Sequence, residues 1–178
     1  MKLLSALLFA MSATMGLCQT SATPDNLGQN PNPADVSTPD NILHALYDVI
    51  SGPPGPRNWD RMKSLFHPKS VMAAIAPKRQ GGNRLVVFSV DDYVKSSGPY
   101  LEKNGFFEHE THRKSEEFGD ITQIFSTYES RHDLKDKDPF EKGINSFQLA
   151  KENGRWYVVS ILWQGDDTGI KVPKKYGG

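Results

Sequence analysis

The stretch Asn153-Gly154-Arg155-Trp156-Tyr157-Val158-Val159-Ser160-Ile161-Leu162-Trp163-Gln164 decides the fold. Asn-Gly is the preferred dipeptide of a two-residue hairpin turn, because both positions must adopt positive φ. The run that follows is aromatic and β-branched, which suits a strand with both faces in contact with something. Working backwards, residues 140–151, 121–132 and 106–118 show the same strand character, separated by a charged loop over 133–138 and by Gly119-Asp120. The four segments read as an antiparallel meander.

The turn also predicts a register. A two-residue loop at Asn153-Gly154 sets Leu149 opposite Val158, Phe147 opposite Ser160 and Asn145 opposite Leu162. On strict alternation one face carries Trp156, Val158, Leu162, Phe147 and Leu149, interrupted by Asn145, Ser160 and Gln164. The other carries Tyr157, Val159, Ile161, Trp163 and Ile144. Both faces are apolar, so both need cover. A one-residue slip would exchange their roles.

Ahead of the meander the pattern is helical. Thr38-Pro39 supplies an N-cap hydroxyl and a proline at the first helical position, then Ile42, Leu43, Leu46, Val49 and Ile50 form one face until Gly52-Pro53-Pro54. A shorter helix over 58–66 buries Trp59, Met62, Leu65 and Phe66, and His67-Pro68 ends it. Residues 70–76 and 84–88 read as a strand pair around a Gly81-Gly82 loop. Ser89 caps a third helix with Asp91 and Asp92 in its first turn; Pro99 is expected to break or restart it, and Gly105 to close it.

This order of elements resembles the nuclear transport factor 2-like superfamily, which includes SnoaL-like cyclases and ketosteroid isomerases. The resemblance rests on Leu65-Phe66-His67-Pro68, Gly105-Phe106-Phe107-Glu108, Ser126-Thr127-Tyr128-Glu129-Ser130-Arg131, Gly143-Ile144-Asn145-Ser146-Phe147-Gln148-Leu149 and Gly154-Arg155-Trp156. It implies a cone-shaped α+β barrel, with about three N-terminal helices packed on a curved antiparallel sheet and a pocket inside. It also implies that the outer sheet face makes a homodimer. The Trp156 face is accordingly expected to line core and pocket, and the Tyr157-to-Trp163 face to meet a partner.

Candidate site residues follow from polar groups on the expected concave face and on the neighbouring strands: Glu110, His112, Tyr128, Asn145, Ser160 and Gln164. Glu108-His109-Glu110-Thr111-His112-Arg113 superficially matches a zinc-protease helix, but its histidines stand three apart on a strand, and the match fails. On a regular strand Glu108, Glu110 and His112 share one face, which could hold a general acid and base. The simpler reading is a charged, solvent-facing strand with cross-strand partners such as Arg131. His67 reads as a helix-terminus residue, His44 as exposed and His132 as a loop-edge residue. Ser160 lacks a nucleophile elbow, and Gly81-Gly82 is not a phosphate loop, so neither a catalytic residue, a metal site nor a cofactor is assigned.

Lys plus Arg (21) equals Asp plus Glu (21), so there is no basic footprint for nucleic acid. Met1-Lys2 followed by an apolar run from Leu3 to Met11 reads as a signal peptide cleaved after Cys18, too short to span a bilayer. Cleavage before Cys18, giving a lipid anchor, is the alternative. The organisation expected is a signal at 1–18, a flexible tether at 19–37 pinned only through Leu27 and Val36, the domain at 38–165 and a solvated tail at 166–178. The whole reads as an exported bacterial protein, secreted or periplasmic. Three functions fit it, in order: binding of a small, mostly apolar ligand in the cone; an isomerase, cyclase or dehydratase using a pocket carboxylate or histidine; and a dimeric interaction module.

Overall fold

The computed structural model describes residues 27–178; the expected signal peptide, its cleavage and Cys18 lie outside the described residues. Among these residues the order is α1 (Pro39–Ile50), α2 (Trp59–Leu65), β1 (Phe66–Pro77), β2 (Asn83–Phe88), α3 (Val90–Asn104), β3 (Phe107–Phe118), β4 (Ile121–Arg131), β5 (Glu141–Glu152) and β6 (Arg155–Gly165). The strands form one sheet in the order β2-β1-β6-β5-β4-β3, antiparallel except where β1 runs parallel to β6. The helices lie on its concave side, where they bury Ile42, Leu43, Met62, Leu65 and Val90 against Ile124, Phe147, Leu149, Trp156 and Val158. This is the cone-like α+β architecture expected from the sequence.

Local chemistry sets the boundaries. Thr38 caps α1 by accepting from the Asn41 amide, and Ser89 forms a full capping box with Asp92 at the start of α3. The Gly-Pro turn after α1 is held by Arg57, whose guanidinium donates to the carbonyls of Ile50, Gly52, Pro53, Gly55 and Leu101. Carbonyls at a helix end have no partner within the helix, and Arg57 gathers several of them; that of Gly52 also accepts from the Phe106 amide. Pro99 does not break α3, which continues from Val90 to Asn104. A proline ring crowds the preceding turn, but Gly98 packs against Trp59 there and anchors the helix to α2.

The β5–β6 hairpin starts as its turn predicts: Asn153 and Gly154 have φ of 51° and 80°, and Leu149 faces Val158. Beyond that pair the expected register is wrong. A bulge makes Val159 an extra residue, so Gln148 faces Ser160, Phe147 faces Ile161 and Asn145 faces Trp163. The inward set of β6 is therefore Trp156, Val158, Ile161 and Trp163, not Ser160, Leu162 and Gln164. Burial agrees, since Ile161 is 6% exposed and Leu162 is 44% exposed.

A second bulge lies in β3, where Glu110 faces Tyr128 but His112 faces Thr127. Thr111 is the extra residue. Glu108 and Glu110 point inward while His112 turns to the outer face, so the expected trio is split.

The two ends fold onto this frame. Leu27 and Val36 are buried as anticipated, and Arg155 reaches from β6 to the Gly28 carbonyl. Residues 166–178, read from composition as a solvated tail, run back across the outer face through two 3-10 turns. Thr127 Oγ1 donates to the Tyr176 carbonyl, the Tyr176 ring meets Phe125, and Asn83 donates to the Thr168 carbonyl.

Candidate functional site

The concave side of the sheet and the three helices line a half-open cavity of about 370 Å³, within the size range of small-molecule sites. Its walls are mostly apolar: Leu46 and Ile50 from α1, Met62 from α2, Met72 from β1, Leu101 from α3, Phe147 from β5 and Ile161 and Trp163 from β6. Trp163 reaches the wall because of the Val159 bulge, and its indole is clamped by Phe88, stacked at 6.0 Å, and Tyr93, edge-on at 6.0 Å.

Polar groups enter this wall from one side. Glu108 of β3 accepts from Ser130 Oγ at 2.9 Å and from Asn145 Nδ2 at 3.2 Å. The same amide donates to Tyr47 Oη at 3.1 Å, which is within 2.7 Å of Ser126 Oγ. Tyr47, Ser126, Ser130 and Asn145 are buried, so each needs these partners to offset desolvation. Glu108 borders the cavity rather than open solvent. Burial pushes its carboxyl up to about 7, the bonds from Ser130 and Asn145 pull it down, and the charge of Glu141 raises it further.

Glu141 stands nearby, accepting from Tyr128 Oη at 2.5 Å. Its carboxyl is also raised, chiefly by burial and then against the pull of the Tyr128 bond by Asp167 and Asp166. The Tyr128 and Tyr47 phenols are pushed well above their usual range by burial first and by neighbouring glutamates next. Both tyrosines are therefore neutral hydrogen-bonding groups at any ordinary pH.

Of the residues singled out from sequence, Tyr128 and Asn145 line the cavity. Glu110 points inward but binds Arg113, which also pairs with Asp40 of α1, so it braces the helix against the sheet. His112 lies on the outer face under Gly177, with Nε2 buried and unpaired. Ser160 and Gln164 are on the outer face too; Gln164 donates to Thr168 of the C-terminal segment. Arg131 pairs with Glu129 and not with the β3 carboxylates. His67 directly follows the C-cap residue Phe66 of α2, already in β1 and against Tyr157, while His44 is exposed and His132 stacks on Phe140 at 4.3 Å.

Sequence reasoning missed Glu108 as a site residue on its own, and missed Tyr47 and Glu141. A signal for Glu108 existed: it follows Phe106-Phe107 at the start of β3, before the bulge disturbs alternation. Tyr47 carried a weaker one, lying next to Leu46 on the inner face of α1.

No family model matches the chain, and no curated protein matches it. Solved structures do. A nuclear transport factor 2-like protein of unknown function from Pseudomonas putida KT2440 superposes with a TM-score of 0.53 at 8% identity, covering 70% of this chain and 82% of that one. A protein from Thiobacillus denitrificans described as a calcium/calmodulin-dependent protein kinase type II association domain gives 0.55 at 12% identity, covering 71% and 94%. One from Novosphingobium aromaticivorans described as a scytalone dehydratase gives 0.51 at 14%, covering 71% and 80%. At such identities the likeness concerns the fold alone: this chain has the nuclear transport factor 2-like fold.

Proposed function

We propose that the chain is an exported protein that binds one small, mostly apolar molecule in its cone, with a polar group of that molecule held against Glu108. The observation that carries this reading is the cavity of about 370 Å³ with an apolar wall and a convergent Glu108–Ser130–Asn145 cluster on one side. Such a cavity with few, fixed polar groups favours an oriented ligand over a merely greasy one. A second copy of the chain is proposed to cover the outer face, where Val71, Leu85, Val87 and Leu162 are all exposed.

One measurement addresses these points together. Native mass spectrometry of protein taken from its own host is expected to show a chain beginning at Gln19, a dimer, and a mass increment lost on denaturation. Absence of any increment sinks the ligand reading, a monomer the dimer reading, and a chain starting at Met1 or at a lipidated Cys18 the cleavage reading.

A second reading is an enzyme that moves a proton. A carboxyl poised near neutrality inside an apolar cavity can both accept and return one, which is what an isomerase or dehydratase requires. The neighbour described as a scytalone dehydratase shares only the fold, so this reading rests on Glu108 alone. It requires turnover that disappears in Glu108→Gln while ligand binding persists.

A further inference from the structure

The charged groups of the cavity wall have one sign. Glu108 and Glu141 face it, and among the described lining residues there is no lysine, arginine or histidine. The titratable neighbours of Glu108 are Tyr47 from α1, Tyr93 from α3, Tyr128 from β4 and Glu141 from β5, all neutral or acidic. His132 stacks on Phe140 at the rim and is not part of the lining. Basic side chains on the adjoining elements are occupied elsewhere: Arg57 by the carbonyls of the turn after α1 and of Leu101, Arg113 by Glu110 and Asp40, Arg131 by Glu129 and Lys142 by Glu129.

The remaining wall is rich in aromatic rings, including Tyr93, Tyr100, Phe106, Phe147 and Trp163. A ring face attracts a cation through its quadrupole, most strongly where water is excluded. A ligand carboxylate or phosphate would meet two carboxyl groups without a counter-charge. An ammonium would meet a carboxylate on one side and aromatic side chains on the others. The cavity makes the site; the sign of its charges selects the ligand.

We infer that the ligand of this cavity is a small amine, bound as its ammonium to the Glu108 carboxylate with its hydrocarbon part against the aromatic wall. This rests on the reading that the cone binds a small molecule. Binding of the ammonium holds Glu108 ionised, so complex formation at near-neutral pH expels a proton from the fraction of Glu108 that carried one. A neutral ligand of the same shape expels none.

The test is isothermal titration of the full chain with 4-phenylbutylamine, 4-phenylbutanol and 4-phenylbutanoate, in two buffers of different ionisation enthalpy. The amine is expected to bind at least about tenfold more tightly than the alcohol, a ratio that one charge-assisted pair readily supplies. The acid is expected not to bind measurably. The amine heat should depend on the buffer through proton release, and its affinity should fall by about tenfold or more between pH 8 and pH 5 as Glu108 is protonated. Glu108→Gln should abolish both the proton release and the preference for amine over alcohol, and circular dichroism checks that it is folded. Should the alcohol or the acid bind as well as the amine, the amine inference is overturned and the ligand-binding reading stands. If all three fail to bind, both are overturned.

Discussion

Glu108 is the residue at which folding and chemistry pull against one another. Its carboxyl is moved from the usual 4.5 up to about 7, so the native state keeps a proton over an interval in which the unfolded chain has released it. Stability therefore falls as pH rises from about 4.5 to about 7, and is level above that, with a total change of about 3 kcal/mol. Glu108→Gln keeps the shape and the bonding capacity toward Ser130 and Asn145 without the charge. It is expected to flatten this dependence and to leave the variant more stable than the parent at about pH 8, as read by denaturant titration at acid and alkaline pH. An unchanged slope would mean that Glu108 is not the buried acid. Tyr128 and Asn145 were legible as pocket residues because their strands are regular at that point. Glu108 was hidden among five other polar residues, since composition alone does not say which member of Glu-His-Glu-Thr-His-Arg meets a cavity.

At the scale of the element, turns and caps were legible and bulges were not. Thr38, Ser89 and Asn153-Gly154 act through contacts within a few residues, so their chemistry is local and appears in the sequence. The extra residues Thr111 and Val159 are selected by packing across strands, which no short window contains. Each sent expected site residues to the wrong side: His112 in the first case, Ser160 and Gln164 in the second. Pro99 likewise kept its helix because tertiary contacts override local preference. One tight contact between strands is at Gly143 of β5, where an added Cβ would lie 2.5 Å from both Tyr128 Oη and the Gln164 carbonyl. Gly143→Ala is expected to cost about 1–3 kcal/mol and to displace Tyr128 from Glu141. Thermal denaturation together with the tyrosine ultraviolet spectrum would register both effects, and a variant with parental stability would contradict the packing described here.

For the whole molecule, the helices cover the concave face and the C-terminal segment covers part of the convex one. That segment meets Phe125, Thr127 and His112 on the β3–β4 side and, through Thr168, Asn83 of β2 and Gln164 of β6, while Val71, Leu85, Val87 and Leu162 on β6, β1 and β2 stay exposed. The proposed dimer has its centre at those exposed residues, because burying such a patch is the main gain available to association. Leu162→Glu is expected to convert a dimer to a monomer in sedimentation velocity while circular dichroism shows the chain still folded. A parent chain that sediments as a monomer at all concentrations would rule the dimer out. The cone itself was legible from the order of elements, since three helices followed by a long meander can bury both apolar layers in few ways. Its outer cover was not, because residues 166–178 hold mainly by backbone carbonyls and one ring, to which composition is blind.

The extra residue at Val159 acts on the last strand as a phase slip acts on a wave. Upstream of it, even positions such as Trp156 and Val158 belong to the interior; downstream, odd positions such as Ile161 and Trp163 do. A polar substitution tolerated at Tyr157 therefore says nothing about the same change at Ile161, although both numbers are odd. One residue of length, with no chemistry of its own, thus decides that an indole and not an amide closes the cavity.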